Sequence, residues 1–374
     1  MTGMSWQRLR ALLRKESLQI VRDPSSIGIA FVLPLVLLLL FGYGVSLDAR
    51  AVPIALVVEN PTPDSASFAG AFAESPWFTP YILTDYPAAV TALLNGDVQG
   101  IVRLRPDFAR QLHKPDGADI QVIVNGVDAN TARLVQGYLQ GVWQAWLTQR
   151  LKQQGRELKA PVLLEQRLWF NPEVRSRNFL VPGLIAIIMT LIGALLTAMV
   201  VAREWERGTM EALMATPVTV AEILLGKLLP YFALGMGGLG MALAMAVWLF
   251  EVPLVGSLWV LLVCSALFLL LALAMGLLFS TIARNQFTAA QIALIATFLP
   301  AFILSGFVFD IGSMPPAVQL LTYLVGARYF VAILHTVFLA GDLWGVILPN
   351  MLALALLTAV FAGVTRRLTR KRLE

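Results

Sequence analysis

Side chains able to do chemistry are scarce in this chain. The densest group is Arg203-Glu204-Trp205-Glu206-Arg207-Gly208-Thr209-Met210-Glu211-Ala212-Leu213-Met214-Ala215-Thr216-Pro217, set between two long apolar stretches. Thr219-Val220-Ala221-Glu222 follows with the Ser/Thr-x-x-Glu spacing of a capping box, which starts a helix by satisfying two orphan donors. A stiff, charged segment between two apolar helices suits transmission of force from a partner; an ordinary loop that only sets topology is the alternative. Other chemistries fall away. Cys264 is the sole cysteine and His113 and His335 are the only histidines, so neither an intrachain disulfide nor a zinc site of usual spacing is expected. A phosphate-binding loop needs Gly-x-x-x-x-Gly-Lys followed by Ser or Thr. Here Gly226-Lys227 is followed by Leu228, and Ala221 stands where the first glycine belongs. ATP hydrolysis by this chain alone is therefore not expected. Mid-span carboxylates, the usual mark of a proton or sodium relay, are also scarce: Glu251 and Asp310 fall at span ends and Arg328 in a broken apolar stretch.

The elements that position these residues are apolar helices. Of 374 residues 58% are hydrophobic and 14% charged, against about 25% charged in soluble domains. Six stretches reach the roughly 20 residues that cross a hydrocarbon core: 27–47, 179–202, 223–250, 257–282, 287–309 and 343–364. The net charge of +5 comes from basic residues that flank these spans, so it reads as a topology signal and not as a nucleic-acid surface. Arg8, Arg10, Arg14, Lys15 and Arg22 precede the first span and Arg366, Arg367, Arg370, Lys371 and Arg372 follow the last. By the positive-inside rule both termini and the 203–217 loop face the cytoplasm. The first span resembles a signal peptide ending at Ala49-Arg50-Ala51, but its length favours an uncleaved anchor. Residues 317–340 invite a seventh span; Pro315-Pro316 and Gly326-Ala327-Arg328 argue instead for two short re-entrant helices within 311–341.

Residues 1–22 form an amphipathic helix in which Trp6, Leu9, Leu12, Leu13 and Ile20 recur at helical spacing. With Arg8, Lys15, Gln19 and Arg22 elsewhere on the wheel, this helix suits a membrane surface, and Trp6, Lys15, Glu16, Arg22 and Asp23 are its candidate site residues. Asp23-Pro24 caps the start of the first transmembrane segment, 23–47. Residues 48–178 change character to a small α/β domain, expected on the far, periplasmic side. Its strands are predicted at 52–58, 98–104 and 120–124, and its helices at 65–74, 87–94, 107–113 and 129–154. Residues 179–374 hold spans two to six. Met189, Met236 and Met241 are candidates for an adaptable apolar pathway, with core packing as the plainer reading.

Glu206-Arg207-Gly208-Thr209 with Glu211, then Thr216-Pro217 and Leu225-Gly226-Lys227, closely resembles the signature of ABC-2 type transporter permeases. Lys15-Glu16, Arg22-Asp23-Pro24, Ala283-Arg284-Asn285-Gln286, Ser305-Gly306-Phe307 and Arg328-Tyr329-Phe330 extend the resemblance over nearly the whole chain. Within the family the pattern is similar to permeases of multidrug exporters. The resemblance implies a six-span α-helical permease of the bacterial inner membrane, paired with a second permease as a homodimer or heterodimer. Two separate ATPase subunits would bind ATP and Mg, and a periplasmic adaptor could join them. The 203–217 loop would be the ATPase-coupling helix, and Ser305, Gly306, Phe307, Arg328, Tyr329 and Phe330 an outer gate. Export of amphiphilic, drug-like compounds is the leading expectation. A lipid or envelope-polymer exporter, or a non-transporting assembly factor with a periplasmic binding domain, stays open.

Overall fold

The computed structural model describes residues 5–44, 51–112, 114, 118–126, 129–153 and 175–369. His113, Arg370, Lys371 and Arg372 lie outside them. The chain divides into two compact units, residues 46–167 and residues 1–45 with 168–374.

In the α/β unit a four-stranded sheet has the order β2-β1-β3-β4, with β1 Val52–Val58, β2 Phe78–Leu83, β3 Gly100–Leu104 and β4 Ile120–Val124. β1 runs parallel to β2 and β3, and β4 is antiparallel to β3. β1 is apolar on both faces, as a central strand covered on both sides must be. Val52, Ile54, Leu56 and Val58 meet Phe68, Phe72, Leu139 and Trp146 of helices Pro63–Ala73 and Ala129–Gln153. Ala55 and Val57 meet Ala89 of helix Tyr86–Asn95 on the other face. β2 is a strand the sequence reading omits. Pro80 argues against it in a sheet interior, yet β2 is an edge strand, where a missing N–H costs little.

Among the described residues of the helical unit, six helices are long and apolar enough to cross a membrane. They are span 1 Pro24–Gly44, span 2 Ser176–Glu206, span 3 Val220–Leu249, span 4 Leu258–Ala283, span 5 Gln286–Leu304 and span 6 Trp344–Leu368. Span 2 is the hub: 89% of its most apolar window is buried within the chain, against 11% for span 6. It packs on span 4 through small residues, as helices do where lipid supplies no hydrophobic drive. A Cβ at Gly276 would collide with the Ala194 carbonyl oxygen, and Thr197 Oγ1 donates to Leu273 O at 2.8 Å. Helices Pro316–Thr322 and Gly326–Ala340 follow span 5 and are bent by 82° at their break. Span 5 ends at Leu304, short of its predicted limit of 309, because Gly306 turns the chain at φ +83°.

Candidate coupling site

The first helix, Trp6–Val21, lies against span 3 at a glycine. A Cβ at Gly226 would stand 2.8 Å from Leu12 Cβ, so glycine sets how closely the helix approaches. The next residue, Lys227, places its Nζ 2.9 Å from Glu16 Oε1 and 3.0 Å from Glu204 Oε1. These three side chains are only 3%, 2% and 6% exposed. Lys15 Nζ closes the group at 2.7 Å from Glu204 and 3.6 Å from Glu16, while remaining 44% exposed. Two ammoniums thus meet two carboxylates, the balance that buried charge requires. Thr209 adds a hydroxyl hydrogen bond to Glu204. Burial alone would lower the Lys15 pKa, but the hydrogen bond to Glu204 and the charge of Glu16 outweigh it and raise it.

Both ends of the first helix are tied as well. Glu222 Oε1 accepts from Ser5 N at 2.6 Å and lies 3.3 Å from Arg8 Nε. Its Oε2 accepts from Thr219 N at 2.6 Å, which is the capping box expected there. Arg8 also donates to the Pro217 carbonyl. At the far end Asp23 accepts from Ser25 N at 3.1 Å and Ser26 Oγ at 2.9 Å, and pairs with Arg203 at 3.0 Å. Burial pushes the Asp23 carboxyl up, yet those bonds prevail and hold it at about 2. Arg203 Nε donates to Gln286 Oε1 at 3.1 Å. Glu206 accepts from Gln286 N at 2.9 Å and from its side-chain amide. The Arg284 guanidinium sits 4.8 Å above the Trp205 ring. Three polar clusters, linked to one another through the backbone, therefore tie the first helix to the near ends of spans 2 and 3 and tie span 2 to the starts of spans 1 and 5.

The loop between spans 2 and 3 is built on this network. Gly208, at φ +68°, turns the chain from span 2 into a short helix, Thr209–Ala215. Met210 is buried with Val201 and Leu277 and pins that helix down. The predicted coupling residues then separate by direction. Arg203 and Glu204 are buried inward, with Trp205 partly so; Glu206, Arg207, Gly208, Thr209, Glu211, Thr216 and Pro217 are exposed. Ala212 and Ala215 share that open face.

The first helix departs from its predicted wheel. Leu9, Glu16 and Ile20 are buried against the bundle, whereas Trp6, Leu18 and Val21 are exposed. Its protein-facing side is thus not purely apolar, because Glu16 is needed there to meet Lys227.

The predicted gate residues form two groups, one around Phe307 against the early part of span 2 and one at Arg328–Phe330 in helix Gly326–Ala340. A Cβ at Gly183 would run into the Phe307 ring, and Ser305 is buried beside it in sequence. Phe330 stacks on Phe268 at 4.1 Å. The Arg328 guanidinium lies 3.9 Å over Tyr323 and bonds the Thr322 hydroxyl, while Tyr329 Oη donates to Tyr323 O at 2.8 Å. Gly183 and Glu204 are 21 residues apart on one helix, about 30 Å at 1.5 Å per residue. Met189 is buried in the core, and Met236 and Met241 are partly buried against it.

A model of the family described as ABC-2 family transporter protein matches residues 24–366. The chain belongs to the ABC-2 transporter family. Over 99% of both chains it is 45% identical to the probable multidrug ABC transporter permease YbhS of Escherichia coli K12. The probable multidrug ABC transporter permease YbhR of the same strain is 28% identical over 98% of this chain and 99% of its own. The inner membrane transport permease YhhJ, also of that strain, is 27% identical over 79% of each. As an ABC-2 permease the chain uses Leu225-Gly226-Lys227 in a definable way: glycine for approach, lysine for charge. Lys227, Glu222 and Gln286 were missed as site residues by sequence reasoning. An ammonium inside an apolar helix was the available signal for Lys227.

Proposed function

We propose that this ABC-2 chain is the membrane-spanning subunit of an exporter driven by separate ATPase subunits, which bind the ATP and Mg. The observation that carries the reading is the ionic network Lys15–Glu16–Glu204–Lys227 with its extension through Asp23, Arg203 and Gln286. It backs an exposed loop face with a rigid connection to four span ends. A push on Glu206–Pro217 is then shared at once by spans 1, 2, 3 and 5, and span 2 carries it about 30 Å to Phe307. The ATPase docks on the open face of helix Thr209–Ala215. The basic flanks of the spans favour a cytoplasmic position for that face and for both termini, in a bacterial inner membrane. The α/β unit, inserted between spans 1 and 2, then lies in the periplasm, where an adaptor protein could reach it.

A second permease copy completes the pathway, since spans 1, 5 and 6 leave most of their apolar surface uncovered within one chain. The names of YbhS and YbhR, together with walls of Leu, Phe, Met and Ala, favour amphiphilic drug-like cargo over sugars or ions. Glu211→Arg with Ala212→Asp tests the docking face. The fold should persist, as both side chains are exposed, while co-purification with the ATPase and its stimulated turnover should be lost. Retention of both would overturn the assignment.

A further inference from the structure

Beside the ionic network, a cavity of about 630 Å³ opens between the end of the first helix, the end of span 2 and the start of span 5. Its charged and amide lining is Lys15, Gln19, Arg22, Asp23, Arg203, Arg207 and Gln286, four cations against one carboxylate. Two of those cations are already engaged. Lys15 serves Glu204 and Glu16, and Arg203 serves Asp23 and Gln286. Arg22 and Arg207 are exposed and have no ion-pair partner among the described residues. Glu206 stands next to Arg207 in sequence, but its carboxylate is turned to the Gln286 amides.

The surroundings of the cavity are as informative as its charge. Leu18 contributes to the lining and is 50% exposed, and Val21 and Phe287, next in sequence to the lining residues Arg22 and Gln286, are 73% and 72% exposed. A water-soluble anion has no use for such a rim; acyl chains do. Two uncommitted guanidinium forks match the paired oxygens of a phosphodiester, and the volume lies within the range of roughly 300–1,000 Å³ usual for ligand sites. Basic pockets between helix ends at the cytoplasmic interface are where anionic head groups bind.

We infer that this cavity is a binding site for the head group of an anionic phospholipid, held by Arg22 and Arg207 with its acyl chains against Leu18, Val21 and Phe287. It rests on the proposed function only in placing these helix ends at the membrane interface. The lipid would add a second link between the end of the first helix and span 5, beside the one made by Asp23, Arg203 and Gln286, making coupling sensitive to the lipid composition.

The test uses the delipidated full-length permease without ATPase, with retention of added phosphatidylglycerol or phosphatidylcholine read by native mass spectrometry. The wild type should hold phosphatidylglycerol in preference to phosphatidylcholine. Arg22→Gln should weaken that preference, and Arg22→Gln with Arg207→Gln should reduce phosphatidylglycerol affinity by at least about tenfold. Arg10→Gln with Arg14→Gln removes the same charge from exposed positions that do not line the cavity and should leave retention near wild type. Equal losses in the two double variants would mean diffuse attraction and overturn the site. Displacement by millimolar inorganic phosphate would assign it to a free anion, and so overturn the lipid. If Arg22→Gln abolished ATPase co-purification while lipid retention stayed intact, the cavity would belong to an acidic segment of the ATPase and the inference would fail. Loss of lipid with ATPase binding unchanged supports it independently of the docking assignment.

Discussion

Replacing Lys227 by methionine removes the one fully buried ammonium between Glu16 and Glu204. The two carboxylates, 2% and 6% exposed, are left to share Lys15, which is 44% exposed. Removing one partner of a buried pair costs about 3–5 kcal/mol, and Lys15 moderates the loss toward the lower figure. Glu16 has little relief available, since its Oε2 is buried with no hydrogen-bond partner among the described residues. At roughly 2 °C per kcal/mol for a chain of this size, Lys227→Met should lower the midpoint of thermal unfolding in lipid nanodiscs by about 6 °C. Adding Glu16→Gln restores charge balance, with Glu204 still facing Lys15. Exchange of a whole buried pair for neutral groups is often close to neutral, so the double variant should regain most of the loss. Such a cycle isolates the coupling, expected at about 2 kcal/mol. A single variant that melts like wild type, or a double variant worse than the sum of its parts, would refute the reasoning.

Other consequences are as direct. Gly226→Leu drives a side chain into Leu12; it should lift the first helix, expose its Leu9 face to proteolysis and cut ATPase stimulation while the α/β unit keeps its fold. Gly183→Val pushes against the Phe307 ring and should abolish transport with ATPase association intact, which vesicle uptake and co-purification separate. The Asp23 carboxyl is depressed from 3.8 to about 2, so its contribution is complete above about pH 4 and lost as pH falls toward 2. The difference in melting between wild type and Asp23→Asn should be constant from about pH 5 to 7 and close below about pH 4; a difference that changes near neutrality would contradict the pairing. For Lys15 the raised pKa has the opposite sign: its stabilisation is present below 10.5 and is lost only at higher pH.

The spans were legible because an uninterrupted apolar run of bilayer length is rare in any chain that folds in water. Their limits were less so. Span 2 was expected to stop at residue 202 but continues to Glu206, because Arg203 and Glu204 are neutralised by Asp23 and by Lys227 and Lys15. Charges that look like a loop can thus be helix when distant residues pair with them. Glu16 and Lys227 are 211 positions apart, a relation no periodicity reveals. The loop 203–217 could be recognised from its charge and its capping box; which residues face inward could not, since that depends on the first helix lying alongside. β2 was hidden by Pro80, whose tolerance depends on an edge position that only the strand order discloses.

The most direct test of the account is disulfide cross-linking from Ala212→Cys in a Cys264→Ser background, using the permease assembled with its ATPase. Ala212 lies on the open loop face and Cys264 is buried. A cysteine at Val255, exposed beyond the far end of span 3, serves as control. The account predicts a permease–ATPase cross-link at position 212, with ATP altering its yield, and none at 255. A cross-link at 255, or an intact complex that never cross-links at 212, would contradict it.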